Sequence, residues 1–229
     1  MSHHEELIRD VPLLARLPEA ELRALASHGR MRTYRSGAVL FREGDHGDSL
    51  HIVVEGGVRV VVLSPAGDEA TIALLGPGEF VGDLALLDGR VRSASAIASQ
   101  PTRTLVVTRA NFRRWLTQRP RAALALLETL SLRVRRTDEA LADLTFLDVP
   151  HRLAKWLLDM AAAQLAVAPA RGPTADVRLR VTQAELASML GVSRESVNKQ
   201  LNRFARKGWI VLRRGSVTLT DMEALQAFV

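Results

Sequence analysis

The chain of 229 residues contains no cysteine. Disulfides, thiolate zinc sites, cysteine-ligated iron–sulfur clusters and a cysteine nucleophile are thereby excluded. No apolar run approaches the roughly 20 residues needed to span a bilayer. There is no low-complexity tract, and the opening MSHHEELIRD lacks the basic-then-apolar order of a secretory signal. The expectation is a cytoplasmic protein with no membrane partner. Catalytic groupings are missing too. No Ser/His/Asp set or carboxylate pair stands out, and His51 sits in a β-rich run as a packed side chain. His3–His4, the only adjacent histidine pair, reads as a solvated end. Neither a catalytic residue nor a metal site is expected.

What is present is ordinary in amount and uneven in placement. Hydrophobic residues make up 47% and charged residues 24%, as in a soluble globular chain long enough for two small domains with their own cores. Residues 151–229 hold 12 Lys and Arg against 6 Asp and Glu, whereas residues 1–150 hold 19 of each, so the whole formal charge of +6 falls in the C-terminal third. A basic module on a neutral partner suggests nucleic acid; a modest excess of this size also arises by chance.

Helical spacing over residues 11–28, with Pro18 ahead of Glu19 and Glu21, predicts a first helix. From about Thr33 to Val107 the runs AVLF, HIVV, VRVVVL, ATIALL, ASAIA and TLVV are mostly separated by glycine-containing turns, which predicts an antiparallel sandwich or barrel. Helical spacing returns at ANFRRWLTQ (110–118). Pro120 then opens a segment without internal glycine or proline up to Val149. Its Leu127, Leu130, Val134, Thr137, Leu141 and Leu144 step by three and four, an a/d seam that asks for a partner helix. An amphipathic helix lying on the β domain is the alternative. Phe146–Pro150 marks the helix end, a domain boundary and a hinge. Residues 151–167 are again an amphipathic helix, and APARGPTAD is a loop.

The segment VTQAELASMLGVSRESVNKQLNRFARK (181–207) has the pattern expected of a DNA-binding element, with a plain two-helix pair bearing a solvated charged face as the alternative. Thr182 with Glu185 forms a capping box for a short helix, and Gly191 allows a tight turn. Ser193 caps a second helix with Val197, Leu201 and Phe204 on its inward face and Glu195, Lys199, Asn202 and Arg206 on the other. Such a helix fits the major groove. GWIVL, RRGS and VTL then read as a β-hairpin wing whose arginines reach phosphate. The expected DNA contacts are Thr182, Gln183, Ser193, Arg194, Glu195, Lys199 and Arg213.

Here the chain resembles a known family. VSRESVNKQL (192–201) resembles the recognition helix of the cyclic AMP receptor protein/FNR (CRP/FNR) family, in which Arg-Glu is followed four residues later by a basic residue. The resemblance implies that Arg194, Glu195 and Lys199 read base edges of half-sites related to TGTGA in an inverted repeat. Lys199 stands where arginine is usual, a rotatable ammonium in place of a planar fork.

FVGDLALLDGRVRSA (80–94) resembles the phosphate-binding cassette of cyclic-nucleotide domains, roughly F-x-G-E-L-x-L followed by R-S/T-A. By that resemblance the ligand site comprises Gly82, Asp83, Leu84, Arg92 and Ser93. Arg92 would pair with the cyclic phosphate and Ser93 would donate to it. Gly82 lets the backbone approach closely, and a short helix beginning near Asp83 turns amides to the anion. Asp83, in place of the usual glutamate, would accept from the ribose hydroxyl. FLD at 146–148 resembles the family hinge, and counting back places Thr137 and Asp138 at the base of the nucleotide. Asp138 replaces a common serine, which leaves adenine or guanine open.

The resemblance spans nearly the whole chain. It implies an α+β fold: a jelly-roll-like cyclic-nucleotide-binding β-roll (1–118), a dimerisation helix with hinge (119–149), and a winged helix-turn-helix (150–229). The implied effector is cyclic AMP, or cyclic GMP, with no metal. The implied partners are double-stranded DNA, a second copy in a parallel coiled coil, and RNA polymerase. Ligand binding would reorient the dimer helices and swing the recognition helices into successive major grooves. A family regulator acting without nucleotide, or with another small ligand, is the nearest alternative. A regulatory module of an enzyme or channel would need a catalytic or membrane segment.

Overall fold

The structure, a computed structural model, describes Leu25 and residues 29–167, 177–179 and 181–229. The helix expected over residues 11–28 (Leu25 excepted), His3–His4 and the loop APARGPTAD lie outside the described residues. The chain divides into two compact units, residues 1–135 and 136–229, with the division inside one long helix.

The first unit is built on two four-stranded antiparallel sheets. One has the order β1 (Gly29–Tyr34), β8 (Thr102–Thr108), β3 (Ser49–Glu55), β6 (Phe80–Val81). The other has the order β2 (Val39–Phe41), β7 (Ser95–Ala98), β4 (Val58–Leu63), β5 (Glu69–Leu75). Between the sheets lie Val53, Val58, Val60, Leu75, Val81, Ala94 and Ala96. The opposite face of the first sheet carries Leu50, Ile52, Val54, Leu105 and Val107, packed with Phe112 and Trp115 of α2 (Arg109–Gln118) and with Ala122, Ala125 and Leu126. Strand β3 is therefore buried on both faces, and HIVV reads as a continuous apolar run without alternation.

Each expected β-run contains a strand, and the expectation of an antiparallel sandwich is met. Two strands escaped the sequence reading. β1 is an edge strand in which Arg30 and Arg32 alternate with the partly buried Gly29 and Met31, so it looks like a polar loop. β6 has only two residues.

Helix α1 (Asp83–Asp88) follows β6. α3 (Pro120–Phe146) begins with proline at its first position, where the missing amide costs nothing. Beyond Leu126, Leu130 packs partly on the first core, but Leu127, Val134, Leu141 and Leu144 are 58–63% exposed.

In the second unit α4 (Val149–Val167) follows α3 after two residues. Asp148 caps it by accepting from the His151 amide at 3.1 Å, and Pro150 fits its first turn. Lys155 Nζ donates to both Asp143 oxygens at 2.7 and 2.6 Å, tying α4 to the end of α3. α5 (Gln183–Leu190) and α6 (Arg194–Arg206) form the helix-turn-helix. β10 (Ile210–Arg213) and β11 (Ser216–Leu219) form the wing, with β9 (Val177–Leu179) as a third strand. α7 (Met222–Phe228) closes the unit, capped by Asp221. Neither β9 nor α7 was expected, since three and seven residues are too few for periodicity to show.

Leu153, Leu157, Leu186, Val197, Leu201, Phe204, Ile210, Leu219 and Leu225 form the core of this unit. Phe204 is fully buried at its centre and meets Trp209 and Phe228 at ring separations of 5.5 and 5.7 Å. Phe204→Ala is expected to destabilise this unit by about 3–5 kcal/mol, read as a lower unfolding midpoint by Trp209 fluorescence, whereas Arg206→Ala on the exposed face leaves the midpoint within about 0.5 kcal/mol.

Candidate effector and DNA-binding sites

The cassette is organised by a buried arginine. Arg92, 3% exposed, donates from Nη1 to the Gly82 carbonyl at 2.8 Å and from Nη2 to the Ser49 carbonyl at 2.6 Å. A longer contact joins Nη2 to Ser49 Oγ at 3.3 Å. The guanidinium carbon lies 4.0 Å from the Phe41 ring centre, and Nε is buried without a partner among the described residues. Burial is the main cause that lowers the Arg92 pKa; Arg109 adds to it, and Asp48, Asp45 and Asp83 oppose it. Arginine stays charged under such pressure. A buried cation is thus held largely by neutral carbonyls.

Gly82 makes that closeness possible. Its φ of +91° is left-handed, and a Cβ there would lie 2.3 Å from Arg92 Nη1. Gly47 gives similar clearance, since its Cβ would meet that of Ala85 at 2.2 Å. Asp83, the first residue of α1, is 2% exposed. Leu84 and Ser93 are exposed at the surface.

Two arginines outside the motif complete the arrangement. Arg109 Nη2 donates to the Gly47 and Ala85 carbonyls at 2.6 and 2.7 Å, fastening α1 to β8's end. Arg133 of α3 donates from Nη1 to both Asp83 oxygens at 3.0 and 3.1 Å and from Nη2 to the Phe80 carbonyl. Its guanidinium lies 4.4 Å from the Phe80 ring centre. Asp83, expected to receive a ribose hydroxyl, is engaged by an arginine that the sequence reading did not single out. Its signal is there: Arg133 precedes Thr137 by four, on the same helix face. The structure therefore brings Gly82, Asp83 and Arg92 together. Thr137 and Asp138 are exposed on α3 and belong to the second unit.

The second site is presented by α5 and α6. The Thr182 side chain accepts from the Glu185 amide at 3.2 Å, while Glu185 accepts from the Thr182 amide at 2.7 Å, which completes the capping box. Gly191, at φ +63°, makes the turn. Ser193 accepts from the Ser196 amide at 3.2 Å and starts α6. Val197, Leu201 and Phe204 are buried, and Arg194, Glu195, Lys199, Asn202 and Arg206 are exposed along the other side. Thr182 is exposed and Gln183 half-buried at the start of α5. Arg213 is exposed at the wing tip, where Arg214 and Gly215 join Arg213 to its partner Ser216.

A β-roll with a buried cassette arginine, joined to a winged helix-turn-helix, defines a transcription regulator with a nucleotide-binding and a DNA-binding domain. Residues 31–119 match the cyclic nucleotide-binding domain, and residues 151–228 match the Crp-like helix-turn-helix domain. The chain is 34% identical over 221 residues to the CRP-like cAMP-activated global transcriptional regulator of Mycobacterium tuberculosis, covering 96% of this chain and 97% of that protein. It is 34% identical over 215 residues to the cyclic AMP receptor protein of Thermus thermophilus, with 94% and 95% covered. Among solved structures it is similar to the c-di-GMP responsive global regulator CLP of Xanthomonas campestris. That likeness has a TM-score of 0.77 at 26% identity and covers 88% of this chain and 99% of that one. The chain belongs to the CRP/FNR family of transcription regulators, whose members are DNA-binding proteins and not enzymes. Among the described residues no helix is long and apolar enough to cross a membrane, and no group of three side chains offers a metal site.

His51 is 2% exposed beside this cassette, and burial, Arg92 and Arg32 lower its pKa from 6.5 to about 4, with Asp48 opposing. Between pH 6.5 and about 4 the unfolded chain binds a proton there that the folded roll does not. Stability of the roll is expected to fall through that window as pH falls, by roughly 3 kcal/mol at its lower end, and to lose this slope below it. His51→Phe should remove that component from the pH dependence of the urea midpoint.

Proposed function

We propose that the chain is a homodimeric regulator, switched by a cyclic nucleotide with cyclic AMP favoured, that binds a TGTGA-like inverted repeat. The observation that carries the effector part is the buried charge of Arg92. Its present acceptors are mainly neutral carbonyls, and a phosphodiester anion offers charge-assisted bonds that are shorter and stronger. The M. tuberculosis and T. thermophilus relatives, whose names state cyclic AMP, support the choice of nucleotide.

In this reading Gly82, Leu84 and the start of α1 shape the cradle, Arg92 and Ser93 hold the phosphate, and Asp83 meets the ribose. Any group that bonds to Asp83 competes with Arg133, so occupancy is passed to α3. Thr137 and Asp138 meet the base. The exposed Leu127, Val134, Leu141 and Leu144 pair two chains in a parallel coiled coil. The roll (1–118), helix and hinge (119–149) and winged helix (150–229) act as the three working parts, with the hinge at Phe146–Pro150. Two copies of α6 then face successive major grooves about 34 Å apart. Arg194, Glu195 and Lys199 read bases, while Thr182, Gln183, Ser193 and Arg213 position the protein on phosphates. The protein works in the cytoplasm with RNA polymerase as its further partner.

A second reading, a family regulator with another small ligand or none, is favoured by Asp83, which already has its partner in Arg133. Titration with cyclic AMP, cyclic GMP and cyclic di-GMP during binding to a TGTGA inverted repeat separates the two. At least one of the first two nucleotides is expected to tighten DNA binding, and Arg92→Ala to abolish the effect. DNA affinity that is the same with and without every ligand would rule out the nucleotide switch and leave the DNA-binding role standing.

Base readers and phosphate contacts should respond differently. Glu195→Ala is expected to relax base choice at one position by about 1–3 kcal/mol, and Arg213→Ala to weaken all sequences alike and lower the salt slope by about one, both read by fluorescence anisotropy across salt concentrations.

A further inference from the structure

The mechanism above leaves one buried titratable side chain unused. His51 lies in the middle of β3, paired with Val81 and Val106, on the strand face that carries Val53 into the space between the sheets. Its Nε2 is 3.4 Å from Ser49 Oγ, and its ring centre is 5.6 Å from that of Phe41. Those two side chains are also supports of Arg92, which reaches Ser49 Oγ with Nη2 and lies over the Phe41 ring. The buried imidazole thus touches two of the groups on which the guanidinium rests.

The hydrogen-bond directions follow from the donors. Nη2 of Arg92 can only donate, so Ser49 Oγ accepts from it. The Ser49 hydroxyl proton is then free to be donated to Nε2, provided that the imidazole is neutral, which its burial ensures. The remaining ring proton sits on Nδ1, which has no partner among the described residues. Tyr34 OH and Thr104 Oγ1 are likewise buried without a partner among the described residues, and they share this sheet face. Thr104 pairs with Val53, diagonally next to His51, and Tyr34 lies with its ring centre 6.3 Å from the imidazole. A purely space-filling side chain would not need this polar surrounding.

We propose that His51 is a positioning residue for Arg92, which sets the guanidinium in the anion cradle through Ser49 and Phe41. The proposal rests on Arg92 being the anion-binding residue of the effector site. His51 does not touch the ligand. It fixes the rotamer of Ser49 and the plane of Phe41, and so limits where the guanidinium can lie before the anion arrives. Preorganisation of this kind is read in affinity, because a loose guanidinium must be ordered on binding.

The test has two arms on the full-length protein. In the first, 15N-detected spectra of the imidazoles are recorded, with the His51 signals identified by their loss in His51→Phe. An unprotonated Nε2 and a protonated Nδ1 are expected, with the Nε2 shift moving in Ser49→Ala. In the second, cyclic AMP affinity is measured by calorimetry. His51→Phe, which fills the space without an acceptor, is expected to weaken binding about tenfold, equivalent to about 1.4 kcal/mol. His51→Gln, which returns an acceptor, should restore it to within about threefold. A role in packing alone would lower the unfolding midpoint of His51→Phe and leave its affinity intact, and that result overturns the proposal. So does a protonated Nε2, or a His51 signal indifferent to Ser49→Ala. If the unaltered protein binds no cyclic nucleotide, the effector reading falls, and the imidazole spectra alone decide whether Ser49 and His51 are joined.

Discussion

A guanidinium shut inside a β-roll has to be answered by oxygen atoms, and much of the first unit is arranged to supply them. Water is the partner that Arg92 loses on burial, and the lost solvation is large for an ion. The Gly82 and Ser49 carbonyls replace it from two directions. Each replacement imposes a further condition. The chain must turn back at Gly82 without a Cβ, and Gly47 must let Ala85 come close. The short helix α1, six residues long, could not hold itself in place by its own hydrogen bonds. Arg109 fastens one part of it and Arg133 its first residue, so three arginines from three parts of the chain converge on one small helix.

The long helix α3 answers to different constraints along its length. Its first turns are buried through Ala122, Ala125 and Leu126, where small residues let the helix lie close to α2 and the sheet. From Leu127 onward most of the apolar seam is exposed, while the polar side of Arg133 is turned to Asp83. The same helix thus joins a core, an ion pair and an uncovered stripe. Its far end is held to α4 within the second unit by the Asp143–Lys155 pair.

Much of this was legible in the residues. The roll stands out because β3 and β4 are dense in β-branched residues between glycine turns, and the helix-turn-helix because capping chemistry and apolar spacing agree at Thr182–Phe204. Cassette and recognition helix were legible through family resemblance more than through periodicity. What stayed hidden depends on pairing across the chain. β1 takes its place only by the register that sets Met31 against Leu105, and β9 only by pairing with β11. Arg109 and Arg133 act 24 and 50 residues away from their targets in α1, a distance that no local pattern reports. His51 was read as packed, and it is buried as expected. Its contact with Ser49 needed the strand's actual pleat to appear.

The charged edge strand β1 has a bearing on how copies of the chain meet. Sheet edges invite strand addition from neighbouring molecules, and a row of arginines discourages it. Arg30 and Arg32 sit on that edge, exposed, beside the outermost ladder of the roll. Growth of the sheet from molecule to molecule would bring those cations against their own copies. The edge is thereby guarded against an open-ended ladder, a form of assembly that has no natural stopping point.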